Sequence, residues 1–412
     1  MRCAVSGFIF LLGTSSAALT QTAGNEDPPA SPWSVSYNQE VRYSSWSGDR
    51  GTPGSIAVMP GKGSQLYLPF GISLNGALNE DTKLQLGVSG GWVRSSQQTA
   101  GFAGQVATQT DTVFSGTMTY NGFDGYQPFV ALSVNTPTGK AILKGNAAYA
   151  RMDSDLVEVG SFGGGITIGP SVGVNIPLNP AFTLSFGAGL TVPIKFNVEG
   201  VFDSNNVQGL TEVSPGRNTT VNASLGYQMG SVYLLVSTAY SVSGTTFING
   251  TASYLPGASW SISGSGSYAW TPTSTTSVTA SWSLSQKNQV YDAGLEKLVY
   301  DERNANNPYY RARIEHTFDF DAWSVGPFVN WMRRNVNTYD PIHYLFTPPK
   351  TRWGLGAAVK YKVSDKVVLN ASIERIWVHE YENPDKPFFG VVAVPALNYT
   401  GLSMVIGGTV QF

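Results

Sequence analysis

The chain has 412 residues, of which 13% are charged, 12% aromatic and 46 glycine, and its formal net charge is -2. That balance argues against a nucleic-acid partner, and the absence of any run of about 18 apolar residues beyond the N-terminus excludes a transmembrane helix. A mean hydropathy of -0.07 does not exclude a membrane, because strands of a transmembrane barrel alternate apolar and polar residues and the luminal ones dilute the mean.

Residues 1–18 read as a secretory signal peptide, with Arg2, an apolar stretch from Cys3 to Leu12, and small residues from Gly13 to Ala18. Residues 19–32 read as a polar lead-in containing Pro28 and Pro29. Cys3 is the single cysteine and lies before the apolar stretch, so a lipid anchor, disulfides, thiol catalysis and cysteine-based zinc sites are excluded from the mature chain.

From residue 33 onward the dominant signal is alternation with period two. It predicts strands at 33–46, 64–78, 82–95, 109–121, 126–136, 165–178, 181–198, 216–229, 231–249, 257–270, 275–289, 308–320, 322–338, 351–363, 366–382 and 397–412. In 181–198, for example, Phe182, Leu184, Phe186, Leu190 and Val192 share one face, while Thr183, Ser185, Gly187, Gly189 and Thr191 share the other. The Gly-rich stretch 160–169 lacks the strand-to-helix setting of a phosphate loop and reads as the start of a strand.

Connections alternate without a break between tight turns, such as Asn179-Pro180 and Ser364-Asp365, and long segments such as 137–164, 290–307 and 383–396. Short turns on one side and long loops on the other are the construction of an outer-membrane barrel. The expected fold is therefore all-β: residues 33–412 form a single antiparallel up-and-down transmembrane barrel of about 16 strands, with 14 the alternative. In hydrocarbon every backbone donor and acceptor must pair internally, so such a sheet has to close.

The stretch 402–412 supplies the closing strand, with Leu402, Met404, Ile406 and Val410 toward lipid and Phe412 in the aromatic girdle at the periplasmic side. Other aromatic residues expected in the girdles are Trp33, Trp46, Tyr67, Trp92, Tyr227, Tyr233, Trp260, Tyr268, Trp270, Trp323, Trp331, Trp353 and Trp377.

A barrel of this width leaves an aqueous path, and its wall is where a site is expected. Arg311, Arg313, Arg333, Arg334, Lys350, Arg352, Lys360 and Lys362 gather on three consecutive predicted strands and their joining loop. They are expected to point inward, because a cation facing lipid at midplane costs about 2–4 kcal/mol. Of these, Arg311, Arg313, Arg334, Arg352, Lys360 and Lys362 form a candidate basic ladder favouring anions, with Glu315 and Glu374 as acidic pore residues. The competing reading is that these cations pair with Glu315, Glu374, Asp319 and Asp340 and only stiffen the wall.

The 137–164 connection, carrying Lys140, Lys144, Arg151, Asp153, Asp155 and Glu158, is a candidate constriction loop or else a solvated surface loop. No glycine-punctuated calcium loop surrounds its acids, and no metal site or cofactor is expected.

His316, His343 and His379 are scattered and argue against catalysis, so the chain is not expected to be an enzyme. Asn-x-Ser/Thr matches at Asn218, Asn222, Asn249, Asn370 and Asn398 fall within alternating strands. The expected partners are the lipid bilayer, barrel-assembly machinery and a small-molecule solute, and the expected location is the cell outer membrane.

The segments "PFVALSVNTPTGK" at 128–140 and "GPSVGVNIPL" at 169–178 resemble proteobacterial outer-membrane proteins grouped with the phenol-degradation meta-pathway transporters. More distantly they are similar to the long-chain fatty acid transporter family. The resemblance covers roughly 125–200 and implies a diffusion channel for small, aromatic or amphipathic molecules. This chain is longer than usual members of that group and shows no hatch segment of the fatty-acid type. The alternative is a non-transporting barrel with a structural or surface-interaction role through its long loops.

Overall fold

The structure is a computed structural model describing residues 33–51, 58–99, 102–202, 208–301, 308–337, 347–382 and 396–412. The expectations for 1–18 and 19–32, and those for Asp340 and His343, lie outside the described residues.

The strands in chain order are β1 (Trp33–Gly51), β2 (Val58–Ala77), β3 (Thr82–Thr99), β4 (Phe102–Gln109), β5 (Thr112–Tyr120), β6 (Gln127–Thr136), β7 (Thr167–Asn179) and β8 (Phe182–Pro193). They continue with β9 (Phe196–Phe202), β10 (Gln208–Ser214), β11 (Asn218–Met229), β12 (Val232–Ser243), β13 (Thr246–Ile248), β14 (Thr251–Leu255), β15 (Ser259–Thr271) and β16 (Ser274–Ser285). The last are β17 (Gln289–Asp292), β18 (Lys297–Tyr300), β19 (Tyr309–Phe320), β20 (Trp323–Arg334), β21 (Lys350–Ser364), β22 (Val367–Glu380) and β23 (Leu397–Gln411).

Sixteen of these close a barrel in which each pairs antiparallel with its neighbours: β1–β2–β3–β5–β6–β7–β8–β11–β12–β15–β16–β19–β20–β21–β22–β23. The ring is completed where β23 pairs with β1, from Ser36 opposite Gln411 to Gly48 opposite Tyr399. Closure leaves no sheet edge with unpaired backbone groups.

All sixteen expected strands are present. Seven further short strands belong to the long connections. β4 extends the sheet beside the outer half of β3, and β9, β10, β13, β14, β17 and β18 form a separate six-stranded sheet. This shortens three predicted strands. The alternation of 181–198 runs past Pro193, but Phe196 leaves the barrel ladder to pair with Val213 of β10. Residues 231–249 and 275–289 are divided in the same way, and Asn249 lies in the β13–β14 turn at φ 49 and not in a strand. Period two marks extended chain and is silent about which partner a strand takes.

Alternation also sets the two faces. On β22 Leu369, Ile373 and Trp377 are exposed while Ile376 and Val378 are buried, and on β23 Met404 and Ile406 are exposed while Leu397 and Tyr399 are buried. The exposed apolar set is the exterior. The interior holds two apolar clusters, one around Trp46, Met152, Leu156, Ile376 and Tyr399 and the other around Val93, Val106, Leu143 and Phe162.

Candidate functional site

Both interior clusters are built by the connection between β6 and β7, which runs inside the barrel. Asp111 fastens its base: Oδ1 accepts from the Gly139 amide at 2.9 Å, and Oδ2 accepts from the Gly164 amide at 2.8 Å and from Asn135 Nδ2 at 2.9 Å. Both ends of the loop are thus held by one carboxylate. Gly139 presses against the Phe162 carbonyl so closely that a Cβ would collide with it.

Between those ends lies a 3₁₀ turn, Gly145–Ala150, and then a segment that hugs the wall. Phe162 is 1% and Leu143 0% exposed, packed on Val93 and Val106. The amide of Gln65 pairs with Val159 as another strand would, donating to its carbonyl and accepting from its N–H, each at 2.8 Å. Trp46 Nε1 donates to Met152 Sδ at 3.2 Å. Every wall residue in these contacts has the parity opposite to the exposed apolar face, which puts the loop on the luminal side.

Charge seals the arrangement. Lys350, 3% exposed, reaches Asp153 at 2.6 Å, Asp155 at 3.3 Å and Glu380 at 3.4 Å. Arg334 also meets Glu380, at 3.4 Å, Tyr309 donates to Asp155 at 2.9 Å, and Glu158 pairs with Arg42. Arg151 pairs with Glu199 of β9 at 2.8 Å. Burial pushes the Asp153 carboxyl upward, but the charge and hydrogen bond of Lys350 outweigh it and hold the group below the usual carboxylate range. Burial prevails over Arg42 at Glu158, whose carboxyl is raised.

The candidate ladder residues Arg311, Arg313, Arg334, Arg352, Lys360 and Lys362 all lie on the luminal face, opposite exterior residues such as Ile314, Val329, Trp353 and Leu355. Most are paired. Arg313 meets Glu315 at 2.6 Å, Arg352 meets Glu374 at 3.2 Å and Lys362 meets Asp365 at 2.7 Å. Arg311 bonds the Tyr309 hydroxyl at 2.9 Å. Among the described residues neither Arg311 nor Lys360 has a carboxylate within ion-pair distance. In the loop, Lys140 and Lys144 are exposed.

Arg333 departs from the expected inward direction: it faces outward opposite Tyr310 and Thr351, since neighbours on a strand cannot share a face. Arg42, Gln65, Asp111, Tyr309 and Glu380 belong to the site and were not singled out from sequence. Glu380 was within reach, because it shares parity with Glu374 on β22. Asp111, in a short connection, gave no such signal.

The opposite wall is chemically different. Eight successive barrel strands, β5, β6, β7, β8, β11, β12, β15 and β16, carry no charged residue at all. Their luminal positions are largely hydroxyls: Ser259, Ser261, Ser263, Ser265 and Ser267 on β15 stand beside Ser277, Thr279, Ser281 and Ser283 on β16.

Outside, these same strands expose Val172, Phe186, Val221, Leu234, Val236 and Ile262. Aromatic pairs stand at the two rims, Tyr268–Trp270 and Trp323–Tyr361 beside the short turns and Tyr240–Trp260 and Trp331–Trp353 toward the long loops. Apolar exterior, aromatic rims and a polar interior are the reverse of a water-soluble body. The chain is a transmembrane β-barrel of the outer-membrane type.

Three residues expected in the girdles correct this picture locally. Trp46, Tyr67 and Tyr233 face inward, Trp46 and Tyr67 because the internal loop offers them an apolar partner.

No protein-family model and no curated protein sequence matches the chain. Among solved structures it is similar to Pseudomonas aeruginosa OpdQ, at 8% identity over 93% of this chain and 100% of that one, with a TM-score of 0.44. It is similar to a BenF-like porin from Pseudomonas fluorescens, at 10% identity over 92% and 99%, TM-score 0.44. An outer membrane channel from Pseudomonas putida gives 10% identity over 72% and 100%, TM-score 0.41. The membrane assignment here rests on the exterior belt.

Proposed function

We propose that the chain is an outer-membrane pore for passive diffusion of small polar solutes, with a preference for those carrying a negative charge. The observation that carries this reading is the division of the lumen. A wall of eight uncharged, hydroxyl-rich strands faces a charged wall on which, among the described residues, Arg311 and Lys360 retain cations without carboxylate partners. An internal loop narrows the space between them.

Hydroxyls exchange hydrogen bonds with a partly dehydrated solute, while the unpaired cations supply the field that sorts solutes by sign. A solute with a carboxylate and a polar or aromatic body fits both walls. The loop acts as the constriction, with Lys140, Lys144, Arg151, Asp153, Asp155 and Glu158 placing further charge within it.

Purified protein in planar bilayers is expected to give discrete conductance steps with a reversal potential displaced toward the anion. Cation-selective steps would overturn the preference. No steps at all would favour a non-transporting barrel acting through the six-stranded sheet of its long connections.

A further inference from the structure

The exterior wall of a barrel in hydrocarbon has no use for charge, so the few charges it bears report what lies against them. Among the described barrel-strand residues the exterior charges are Asp49, Lys62, Arg94, Arg333 and Arg375, and all five lie in the half toward the long loops. Four of the five are basic. The half toward the short turns has none.

Arg375 shows the placement directly. It shares the exterior face with Ile373 and Trp377, lies opposite Leu355 and Leu402, and is exposed. One step further out Trp377 pairs with Trp353, which neighbours Trp331, so Arg375 sits at the depth of the aromatic rim, where headgroups begin.

Beside it the barrel surface changes character. On β1, β2 and β3 the exterior positions at this level are Ser45, Ser64 and Ser96 in place of large apolar residues, and on β23 Leu402 is followed one exterior step further out by Thr400. Together with Lys62 and Arg375 they line a notch of about 410 Å³. Neither cation has a carboxylate within ion-pair distance among the described residues. Two cations and several hydroxyl donors lining one notch, open sideways to the bilayer, match a phosphate monoester.

We propose that this notch binds the phosphate of an outer-leaflet lipid headgroup. The cations supply charge and the hydroxyls supply hydrogen bonds, while the apolar exterior below, including Ile373 and Met404, receives the acyl chains. The same chemistry could be met by a free phosphate ion, but a free ion would gain nothing from the adjoining apolar surface. The asymmetry also orients the barrel: the half bearing the cations belongs in the leaflet richer in phosphate.

The test is native mass spectrometry of the full chain in an uncharged detergent, titrated with diphosphorylated lipid A, with dephosphorylated lipid A and with inorganic phosphate. Wild type is expected to carry a lipid A adduct. The Lys62→Gln/Arg375→Gln double variant is expected to carry roughly tenfold less or lower still, each cation near a membrane surface being worth several-fold in affinity. Heat-modifiable migration and bilayer conductance of the variant are expected to match wild type, which separates loss of the site from loss of folding and from failure of the pore reading. Equal adduct on both proteins would overturn the proposal, as would equal binding of dephosphorylated lipid A. Displacement of lipid A by inorganic phosphate at matched concentration would overturn the lipid assignment and leave a free-anion site.

Discussion

At Lys350 three carboxylates share one buried ammonium group, and two of them belong to the loop. Removing one member of a buried charge cluster typically costs about 3–5 kcal/mol, because the remaining charges lose their compensation out of water. Lys350→Met is therefore expected to leave Asp153, Asp155 and Glu380 repelling one another and to release the loop. In bilayers the variant should show larger and noisier conductance steps than wild type; unchanged steps would mean the loop is held by its apolar contacts alone.

The two shifted loop carboxylates give this latch a pH dependence with two limbs. Asp153 has its docked value below the ordinary one, so its contribution is complete above about pH 4 and is lost as pH falls through the docked value. Glu158 has its docked value raised, so its contribution is present below the ordinary range and is lost as pH rises through the raised value. The loop is expected to be held best around the ordinary carboxylate values, about pH 4, below which the Asp153 contribution is lost and above which the Glu158 contribution declines. Conductance recorded across pH should pass through a minimum there, rising on both sides. Glu158→Gln should abolish the alkaline limb and keep the acidic one.

The loop as an element depends on its base more than on its tip. Asp111 accepts three hydrogen bonds that bring the Pro137 and Gly164 ends together, and hydrogen bonds to a charged acceptor contribute about 1.5–3 kcal/mol each. Asp111→Ala removes the acceptor and is expected to widen the pore with the barrel intact, read as faster entry of larger uncharged solutes into proteoliposomes. Swelling rates equal to wild type would place the constriction elsewhere. Gly139→Val should act in the same direction through its collision with the Phe162 carbonyl. The resemblance motif PFVALSVNTPTGK has a physical reading here: its first part is β6, and its Pro-Thr-Gly is the point at which the chain turns from the wall into the lumen.

For the whole molecule, the division between a neutral and a charged wall predicts which substitutions change selectivity. Arg311→Ser with Lys360→Ser removes two luminal cations that lack carboxylate partners among the described residues, and should lower anion preference severalfold while leaving heat-modifiable migration unchanged. Neutralising Arg313 together with Glu315, a pair that is already balanced, should change selectivity far less. If the two double variants shift the reversal potential equally, the distinction between paired and unpaired cations fails.

Much of this is legible in the sequence alone. Strand number, closure, the exterior face and the inward direction of Arg311, Arg313, Arg352 and Lys360 all follow from a period of two, because hydrocarbon leaves only one way to satisfy the backbone and only one face that can be greasy. Adjacency and depth were not legible. That Lys350 meets Asp153 across 197 positions, that Trp46 turns inward onto Met152, and that Lys62 and Arg375 share one notch are consequences of register and of a loop folding back through the ring. Alternation names the face on which a side chain stands, but only the closed barrel decides which distant residue stands beside it, and whether a charge there is cancelled or left to act.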